Sequence, residues 1–455
     1  MSRRAVPDRR PVALTIAGSD SGGGAGIQAD LKTMEAGGVF GTSAVTSVTA
    51  QHTRGVESTH VLPVEEVDAQ IAAVRDDFEV SAVKTGMLAT TPIVETVTDH
   101  ARDWDVPWVV DPVMVATSGD RLLAPEAEAA YEDLIAQATL VTPNADEAAV
   151  LTGIEMDDEE SMQAAGEALV AMGTEAALVK GGHVDADDRV VDLLVTSEGT
   201  HRFDHARVDT DATHGSGCTL SSAIAAGLAR GETLVEAVAD GVDFMSRAVR
   251  YPLDVGRGPG AVHHLVALRE RAARDRTAGA VEGVVDRLVR RDETRAIVPE
   301  VGLNVAGATP YAERVEEVAA VEGRITRTLS GVRPNRGVRF GASSHVARFL
   351  LAAREFHDYR FAANCRFDSE IETVLSNLGW PVASFAREDE PTADEEASTM
   401  DWGARRAFER ADDRPVAVID RGDMGKEPMT RVVSEDAETL AERLLALGSA
   451  VADAG

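Results

Sequence analysis

Lysine is nearly absent from this chain. Of its 45 lysine and arginine residues only four are lysines, Lys32, Lys84, Lys180 and Lys426, and 77 residues are Asp or Glu, which gives a net charge of −32. An acid excess with arginine in place of lysine is typical of cytosolic proteins from halophiles, whose charge keeps them in solution. An acidic mesophilic enzyme is the alternative. Because the chain avoids lysine, each lysine is a candidate for a role that arginine cannot fill.

Cysteine and long apolar runs are also scarce. Two cysteines cannot build a disulfide framework, so we expect a reducing cytoplasm. The apolar segment 12–18 is too short for the core of an export signal, and no run is long enough to cross a bilayer. We therefore expect neither a signal peptide nor contact with a membrane. The net charge of −32 argues against nucleic acid as a partner, because its phosphates would be repelled.

The 455 residues, 44% of them apolar, allow two or three domains with ordinary cores. Residues 12–265 alternate between β-rich runs and amphipathic helices, and several runs are apolar throughout, as in a parallel sheet covered on both faces. We therefore predict an α/β domain with a mostly parallel sheet flanked by helices, and an added edge hairpin of 190–196 and 201–203. The predicted strands are 12–17, 42–49, 82–84, 108–110, 140–142 and 176–179, and the predicted helices include 65–78, 92–104 and 126–136.

Glycine-rich or polar sequences follow all six predicted strands. In open parallel sheets, ligands bind beyond the carboxyl ends of the strands. Any one of these sequences could be a simple loop cap, but their presence after six of six strands predicts a binding site at that edge. They are Gly18–Asp30, Gln51–His52, Lys84–Met87, Asp111–Met114, Thr142–Glu147 and Lys180–His183.

The segment Asp209–Ser222 predicts an anion site. Gly215, Ser216 and Gly217 come just before the alanine-rich run 218–229, which is predicted to be a helix. Glycines let consecutive N–H groups point at one place, and a helix N-terminus adds unpaired donors and partial positive charge. Phosphate is the most natural ligand of such a site. Cys218 at its mouth is a candidate nucleophile, general base or small core residue.

Several motifs within residues 12–265 resemble one family. In order and spacing they look like hydroxymethylpyrimidine and phosphomethylpyrimidine kinases of thiamine synthesis, which have the ribokinase-like fold. The family commonly has Thr where Ser216 stands, so the hydroxyl is kept. The motifs are Thr15–Lys32, Lys84–Leu88, Asp111–Met114, Thr142–Asn144, Val179–His183, Thr213–Ser221 and the closing segment Gly256–His264.

The resemblance implies two phosphoryl transfers from ATP, first to the hydroxymethyl group of an aminopyrimidine and then to the monophosphate. Such transfers depend on positioning and charge stabilisation. Gly215 and Gly217 would hold the developing charge on the γ-phosphoryl group, helped by Ser216, and Lys180 would neutralise phosphate oxygens. The implied Mg²⁺ ligands are Asn144, Glu147 and, as a further candidate, Asp111.

Cys218 stands where related sugar kinases have an aspartate base. A thiol at a helix N-terminus is expected to have a lowered pKa and to take the proton of the substrate hydroxyl; the alternative is a small residue that packs beside the ring. For substrate binding the resemblance implies hydrogen bonds from Gln51, a backbone contact at Gly18, the Asp30 carboxylate near the pocket and Met87 against the ring. His214 would orient phosphate or cap its loop.

The second half restarts the pattern after a charged linker, residues 266–284. Residues 285–455 are predicted to form a second, smaller α/β domain, which resembles the archaeal, ThiN-type thiamine-phosphate synthase. A helix start at Gly341–Ser344 predicts a second phosphate site. The motifs are Val301–Ala308, Val321–Ile325, Phe340–Arg348, Asn364 followed by an arginine, and Gly425–Met429.

This second resemblance implies Arg324 and His345 as the functional pair, with Ser343 and Ser344 binding phosphate. Arginine would bind the leaving pyrophosphate, and histidine would bind phosphate or donate a proton. An ion-paired arginine and a capping histidine are the alternative. The expected partners are the aminopyrimidine, ATP and a thiazole phosphate, in a cytoplasmic homo-oligomer. Two other interpretations stay open: a pyridoxal-type vitamin kinase, or a second half that senses a ligand without catalysis.

Overall fold

The structure is a computed structural model that describes residues 4–114, 129–182, 189–386, 399–411, 413–422 and 427–454. It divides into two compact units, Met1–Ala267 and Leu268–Gly455. The predicted linker 266–284 lies within one continuous helix, Val266–Val289. Among the described helices, none is both long and apolar enough to cross a bilayer. His183 and Lys426, each part of a motif quoted above, lie outside the described residues, as does the start of the predicted helix 126–136.

The first unit is built on a nine-stranded sheet in the order β3-β2-β1-β4-β5-β6-β7-β8-β9. The six central strands, β2, β1, β4, β5, β6 and β7 in sheet order, run parallel to one another. At one edge β3 pairs antiparallel with β2, and at the other edge β8 and β9 continue the sheet through antiparallel pairs. The strands are β1 Val12–Asp20, β2 Phe40–His52, β3 Gly55–Val61, β4 Val80–Thr85, β5 Trp108–Val110, β6 Leu140–Val141, β7 Ala176–Lys180, β8 Arg189–Thr196 and β9 Gly199–Ala206.

Helices cover both faces of this sheet because side chains alternate along each strand. Leu14 and Ile16 of β1 pack into a core with α2 and α3, whereas Thr15 points to the other face and bonds to α1. The mostly parallel, helix-flanked sheet predicted from the sequence is therefore confirmed. The helices are α1 Gly26–Ala36, α2 Val64–Asp77, α3 Thr91–Arg102, α4 Ala130–Ile135, α5 Ala145–Thr152, α6 Glu159–Met172, α7 Ser216–Ala229 and α8 Leu234–Arg250.

The second unit has a seven-stranded, mostly antiparallel sheet in the order β14-β11-β10-β15-β18-β17-β16, and a separate β12-β13 hairpin. The strands are β10 Asn304–Ala308, β11 Val318–Val321, β12 Ile325–Arg327, β13 Val332–Pro334, β14 Val338–Phe340, β15 Phe361–Arg366, β16 Val382–Phe385, β17 Ala417–Asp420 and β18 Met429–Ser434. The helices are α9 Val266–Val289, α10 Ser344–Ala353, α11 Ser369–Asn377, α12 Thr399–Glu409 and α13 Ala437–Ala454, with short 3-10 turns at Asp292–Ile297 and Val315–Glu317.

Two cores cover the two faces of the second sheet. Val305 packs with α9, α11 and α13 on one face, whereas its neighbour Ala306 packs with α10 and α12 on the other. The alternation explains why β10 is buried along its whole length. The prediction of a second α/β region is confirmed.

Candidate functional site

Two loops meet at the carboxyl edge of the parallel sheet in the first unit. The first glycine loop, residues 20–25, joins β1 to α1, and the second glycine loop, residues 213–217, leads into α7. Gly215 has a φ of +82°, and a Cβ there would lie 1.9 Å from the carbonyl oxygen of Gly24. Only glycine tolerates both the backbone angle and the approach. The sequence therefore fixes the contact between the loops.

Asp20 holds the first glycine loop in shape. Its Oδ1 accepts a hydrogen bond from the N–H of Gly22 (2.7 Å), and its Oδ2 accepts from Gly24 (2.9 Å) and Ala25 (2.8 Å). Burial on its own would raise the pKa of Asp20, but bonds from His214 and these amides lower it. Asp20 is absent from the predicted site residues. Its position after the first predicted strand, inside a glycine-rich loop, is the sequence feature that could have predicted its role.

His264 supports the same loop and was not predicted either. Its Nε2 lies 3.1 Å from the carbonyl oxygen of Gly24, so Nε2 carries the proton and donates it. Burial lowers the pKa of His264 to about 4, with the Lys32 charge acting in the same direction. The ring therefore stays neutral at physiological pH and serves as a fixed donor to the loop.

A lysine and two carboxylates face the start of α7. Lys180 Nζ lies 3.2 Å from Asp111 Oδ1, and the two side chains are 15% and 2% exposed. A Cβ on Gly217 would lie 3.4 Å from that Nζ and 3.6 Å from Asp111 Oδ2. Burial alone would lower the pKa of Lys180, but Asp111 and Glu147 raise it. A permanent positive charge thus lies beside the first turn of α7, whose N–H groups have no intrahelical acceptors.

The predicted nest of donors is only partly free. The Ser216 N–H donates to the carbonyl oxygen of Thr213 (3.1 Å) and closes its own turn. Gly217 and Cys218 occupy the next two positions of the first turn of α7. The donors that the helix start offers to a phosphate therefore come from Gly217 and Cys218 rather than from Ser216.

Asn144 and Glu147, two of the predicted magnesium ligands, form a capping box at the start of α5. Asn144 Oδ1 accepts from the Glu147 N–H (2.8 Å), and Glu147 Oε2 accepts from the Asn144 N–H (2.8 Å). The Asn144 amide oxygen is thus committed to the helix rather than to a metal. Burial raises the pKa of Glu147 to about 7, the Lys180 charge lowers it, and Asp111 adds to the rise.

The carboxylates of Asp111 and Glu147 nevertheless fit Mg²⁺. In the described ranges, no group of three or more His, Cys, Asp or Glu side chains is arranged to hold a metal ion. Magnesium needs no such cage, because it is commonly held by one or two carboxylates together with water and substrate phosphates. Asp111 also accepts from Thr142 (3.2 Å) and Ser221 (3.3 Å), which fixes the orientation of its carboxylate.

Cys218 has the opposite character to the one predicted. Burial raises its pKa to about 11, although the nearby Gly26 N–H acts to lower it. The Lys84 charge pulls the pKa down, while Asp30 and Asp111 push it further up. The expected lowering by the helix start is therefore wrong, because burial and two carboxylates outweigh it. The thiol is protonated at neutral pH, which weakens the interpretation as a thiolate base.

Asp30 lies behind the pocket rather than in its wall, which corrects its predicted place among the substrate-binding residues. It is completely buried. Its oxygens accept hydrogen bonds from Thr15 (2.6 Å), Lys84 (2.9 and 3.0 Å) and Ser222 (2.7 Å). A carboxylate so fully engaged has no lone pair directed at a substrate.

The other predicted pocket residues lie near one another. A Cβ on Gly18 would lie 3.2 Å from the sulfur of Met87, which is 8% exposed. Gln51 Nε2 lies 3.4 Å from His214 Nε2, and the same His214 nitrogen lies 3.4 Å from Asp20 Oδ2. His214 thus connects the first glycine loop with Gln51, and its contacts are those of a residue that holds loops together.

In the second unit, Arg324 has an unusual backbone. Its φ is +69°, which a non-glycine residue adopts at a cost that often marks a functional site. Its side chain donates to the carbonyl oxygen of Val301 (2.6 Å). Glu427 accepts from the N–H groups of Glu300 (2.8 Å) and Val301 (3.3 Å). The loop before β10 is therefore held from two sides.

Asn364, singled out in the sequence, supports this loop from inside the sheet. Its Oδ1 accepts from the Asn304 N–H (2.7 Å), and its Nδ2 donates to the carbonyl oxygen of Gly302 (3.1 Å). Both asparagines are buried. Their amides act as fixed supports of the loop before β10.

Arg324 and His345, the predicted functional pair, follow the ends of two neighbouring strands. Arg324 follows the end of β11, and His345 follows the end of β14. Because β11 and β14 are antiparallel, with Val321 opposite Val338 and Ala319 opposite Phe340, these strand ends are offset by two residues, about 7 Å along the strands. Ser343, at the N-cap of α10, makes no side-chain capping bond within the described chain. Ser344 and His345 are exposed.

These features define two classes of protein in one chain. The parallel sheet, its two glycine loops and the Lys180–Asp111 pair define a small-molecule kinase of the ribokinase-like type. Residues 20–263 match the family described as phosphomethylpyrimidine kinase, and the chain belongs to that family. Residues 280–446 match the family described as thiamine-phosphate synthase ThiN.

Relatives of known name agree with this assignment. The hydroxymethylpyrimidine/phosphomethylpyrimidine kinase of Streptomyces coelicolor is 48% identical over 271 residues, which is 59% of this chain and 100% of the relative. The enzyme of the same name from Haemophilus influenzae is 44% identical over 256 residues, 55% of this chain and 95% of the relative. Kinase function of this type is thus supported for the first unit.

Solved structures resemble the first unit in fold. An ADP complex of Bacillus subtilis pyridoxal kinase has a TM-score of 0.54 at 34% identity and covers 57% of this chain and 99% of its own. Staphylococcus aureus pyridoxal kinase in complex with AMP-PCP and pyridoxal has a TM-score of 0.53 at 30% identity, over 58% of this chain and 96% of its own. Both are vitamin kinases, which agrees with ATP as a substrate.

Proposed function

We propose that the first unit phosphorylates an aminopyrimidine twice. In the first reaction the hydroxymethyl oxygen attacks the γ-phosphorus of ATP, the bond to the β-phosphate oxygen breaks, and ADP and the monophosphate result. In the second, a phosphate oxygen of that product attacks the γ-phosphorus of another ATP to give the diphosphate. The proposal is supported mainly by the Lys180–Asp111 pair at 3.2 Å beside Gly217 at the start of α7.

Each part of the site has a role in these transfers. The Gly217 and Cys218 N–H groups and the Lys180 ammonium would stabilise the charge that develops on the transferred group. Asp111 and Glu147 would hold Mg²⁺, which neutralises phosphate oxygens when it is bound with the nucleotide. The protonated Cys218 would fill the space between α1 and α7, and the hydroxyl proton would pass to the phosphoryl oxygen rather than to sulfur.

The pocket residues would bind the pyrimidine ring. The Gln51 side chain can donate to and accept from the ring and its amino group, and Thr49, which donates to Gln51 Oε1 at 3.0 Å, fixes that amide's orientation. Met87 and Gly18 would pack against the ring face. These assignments are tested by Gln51→Leu, which we expect to raise the KM for the pyrimidine without a matching rise in the KM for ATP.

The kinase proposal is tested with the full chain, ATP, Mg²⁺ and the aminopyrimidine alcohol. We expect ³¹P NMR to show a monophosphate first and a diphosphate later, with one ADP formed per transfer. Formation of ADP without a phosphorylated pyrimidine would contradict the proposal.

Pyridoxal is the second candidate substrate, because the structural neighbours above are pyridoxal kinases. The sequence relatives at 44–48% identity are named for the pyrimidine, which favours it as the main substrate. Competition in one tube decides between them: with both alcohols at equal concentration and limiting ATP, we expect the pyrimidine phosphate to form first. Preferential formation of pyridoxal phosphate would reverse the assignment.

We propose that the second unit joins the pyrimidine diphosphate to a thiazole phosphate. The thiazole nitrogen attacks the pyrimidine methylene carbon, the carbon–oxygen bond breaks, and pyrophosphate leaves with the bonding electrons. Besides the family match, one observation supports this. Although 77 of 455 residues are Asp or Glu, none lies between Glu322 and Glu355, and this stretch, residues 323–354, carries seven arginines. We call it the arginine-rich stretch.

The arginine-rich stretch suits anionic substrates. A chain with a net charge of −32 repels polyphosphates, so binding them requires a local positive field. Arg333 and Arg336 are exposed, and within the described residues neither forms an ion pair with a carboxylate. Arginine forks match phosphate oxygens in shape and charge.

A ligand-sensing second unit is the alternative to a synthase. The full chain, given pyrimidine diphosphate and thiazole phosphate without ATP, separates the two. We expect thiamine phosphate and pyrophosphate in equal amounts. Binding of both compounds without product would favour the sensor, and the kinase assay on the same preparation shows whether the protein is correctly folded.

A further inference from the structure

Four buried polar side chains from four elements meet behind the second glycine loop. Asp30 of α1 accepts hydrogen bonds from Thr15 of β1, Lys84 of β4 and Ser222 of α7, at 2.6 to 3.0 Å. All four residues are completely buried. We call this set the Asp30 network. A buried ion pair contributes little net stability compared with well-packed apolar side chains, so stability alone is a weak reason for its presence.

The Asp30 network repeats a contact made one helical turn earlier. The Gly26 N–H of α1 lies close enough to the Cys218 thiol of α7 to lower its pKa. Asp30 follows Gly26 by four residues, and Ser222 follows Cys218 by four, so both contacts lie on the same faces of the two helices. The pair α1 and α7 is therefore hydrogen-bonded at one turn, through Ser222 and Asp30, and in contact at the turn before it, which limits both their distance and their rotation.

The network leaves no space for adjustment. Gly26 has a φ of +57°, and a Cβ there would lie 2.3 Å from the carbonyl oxygen of Gly18. A Cβ on Gly86 would lie 2.9 Å from Lys84 Nζ. The guanidinium of an arginine in place of Lys84 is larger than the ammonium and would not fit there. This explains why a chain that otherwise avoids lysine keeps one here.

We propose that the Asp30 network is a positioning device for phosphoryl transfer: through Ser222 and the Gly26–Cys218 contact it holds the first turn of α7 in register with the first glycine loop and with Lys180. None of its four members touches the substrate. The inference rests on the proposed kinase reaction of the first unit. A shift of α7 by a fraction of a turn would move the Gly217 and Cys218 donors away from the transferred group, and errors of about 1 Å can cost about 10²-fold in rate.

Ser222→Ala is the main test, because it keeps both charges and removes one hydrogen bond. We expect kcat of the pyrimidine kinase reaction to fall about tenfold, with the KM values for ATP and the pyrimidine within about twofold of the wild type. Thr33→Val is the matched control. It removes a buried hydroxyl of α1 that, among the described residues, bonds only to Ala29 of the same helix (2.8 Å). We expect its kcat to stay within about twofold of the wild type.

Two further variants separate positioning from folding. Asp30→Asn and Lys84→Met each leave a buried group without its partner and are expected to lower the melting temperature strongly. The double variant Asp30→Asn/Lys84→Met removes both charges, and we expect it to recover melting temperature but not kcat. Recovery of kcat in the double variant, or an unchanged kcat in Ser222→Ala, would overturn the inference. Failure of the wild-type reaction would instead overturn the proposed function.

Discussion

The two units bind charge in opposite ways. In the first, the two lysines near the start of α7 are buried and paired, as Lys84–Asp30 and Lys180–Asp111. In the second, Arg333 and Arg336 are exposed within a stretch that contains no carboxylate. Buried pairs hold positions precisely but attract a free anion weakly, since their charges cancel at a distance. Exposed arginines without a carboxylate partner attract a free anion more strongly but are held less precisely.

The contrast fits the chemistry proposed for each unit. Both phosphoryl transfers from ATP proposed for the first unit depend on aligned donors, which rigid pairs provide. The condensation starts from two phosphorylated compounds and releases pyrophosphate, so its first requirement is to attract anions to a strongly acidic protein. The difference between the units can therefore be tested by removing charges one at a time.

The largest expected effect is from Lys180→Met. Because the Lys180 ammonium lies beside the helix start that we propose to hold the transferred group, we expect kcat of the kinase reaction to fall by about 10²- to 10³-fold. Condensation of supplied pyrimidine diphosphate in the second unit should not change, and the same preparation provides that control. An equal loss of both activities would show that the variant is misfolded or that the two sites are not independent.

Arg324→Ala is expected to produce the converse result with a somewhat smaller loss. We expect condensation to slow by about 10²-fold, because the charged contact that we propose Arg324 makes with the leaving group is removed, while the kinase reaction is retained. Arg339→Ala is the control, since Arg339 lies on the same stretch but already faces Glu322 at 3.5 Å. Equal losses in the two variants would mean that only the overall charge of the stretch matters.

Gly215→Ala tests how tightly the two glycine loops are packed. Both Gly215 and Gly38 have a positive φ, +82° and +78°, and alanine costs about 1–2 kcal/mol in that conformation. A Cβ at Gly38 meets nothing within 4 Å, whereas one at Gly215 would clash with Gly24. We expect Gly38→Ala to lower the unfolding free energy only by the backbone cost, and Gly215→Ala to lower it further and to reduce kinase kcat at least tenfold. Urea unfolding and steady-state kinetics measure both.

Much of the first unit could be predicted because its signals are local. The apolar runs of the central strands, such as Trp108–Val110, predicted β5 with its observed bounds. Glycines and polar residues after each strand predicted where the site lies. The missed strand β3, Gly55–Val61, is mostly exposed and lacks an apolar pattern, so only its pairing with β2 makes it a strand.

The state of individual side chains could not be predicted because it depends on partners far along the chain. The sequence predicts Asp30 as a pocket carboxylate. In the structure its oxygens accept hydrogen bonds from Lys84 and Ser222, which are 54 and 192 residues away in the chain. The pairing of Arg324 with His345 stays a prediction for a similar reason. Their proximity depends on the antiparallel register of β11 and β14, which no local pattern encodes.

The smallest expected effect concerns the protonation of Cys218. Because burial raises its pKa to about 11 in the folded protein, above its ordinary value of about 8.5, the unfolded chain loses this proton first as pH rises. The contribution to stability is therefore complete below about pH 8.5 and is lost as pH rises through about 11.

Cys218→Ser lacks this titration, whereas the buried Cys365, whose pKa is raised to about 12, is common to both proteins. We expect the stability difference between wild type and Cys218→Ser to shrink or reverse across this range in urea unfolding, and alkylation of the wild type by iodoacetamide to rise over the same range. Rapid alkylation at neutral pH would instead show a thiolate and restore Cys218 as a candidate base.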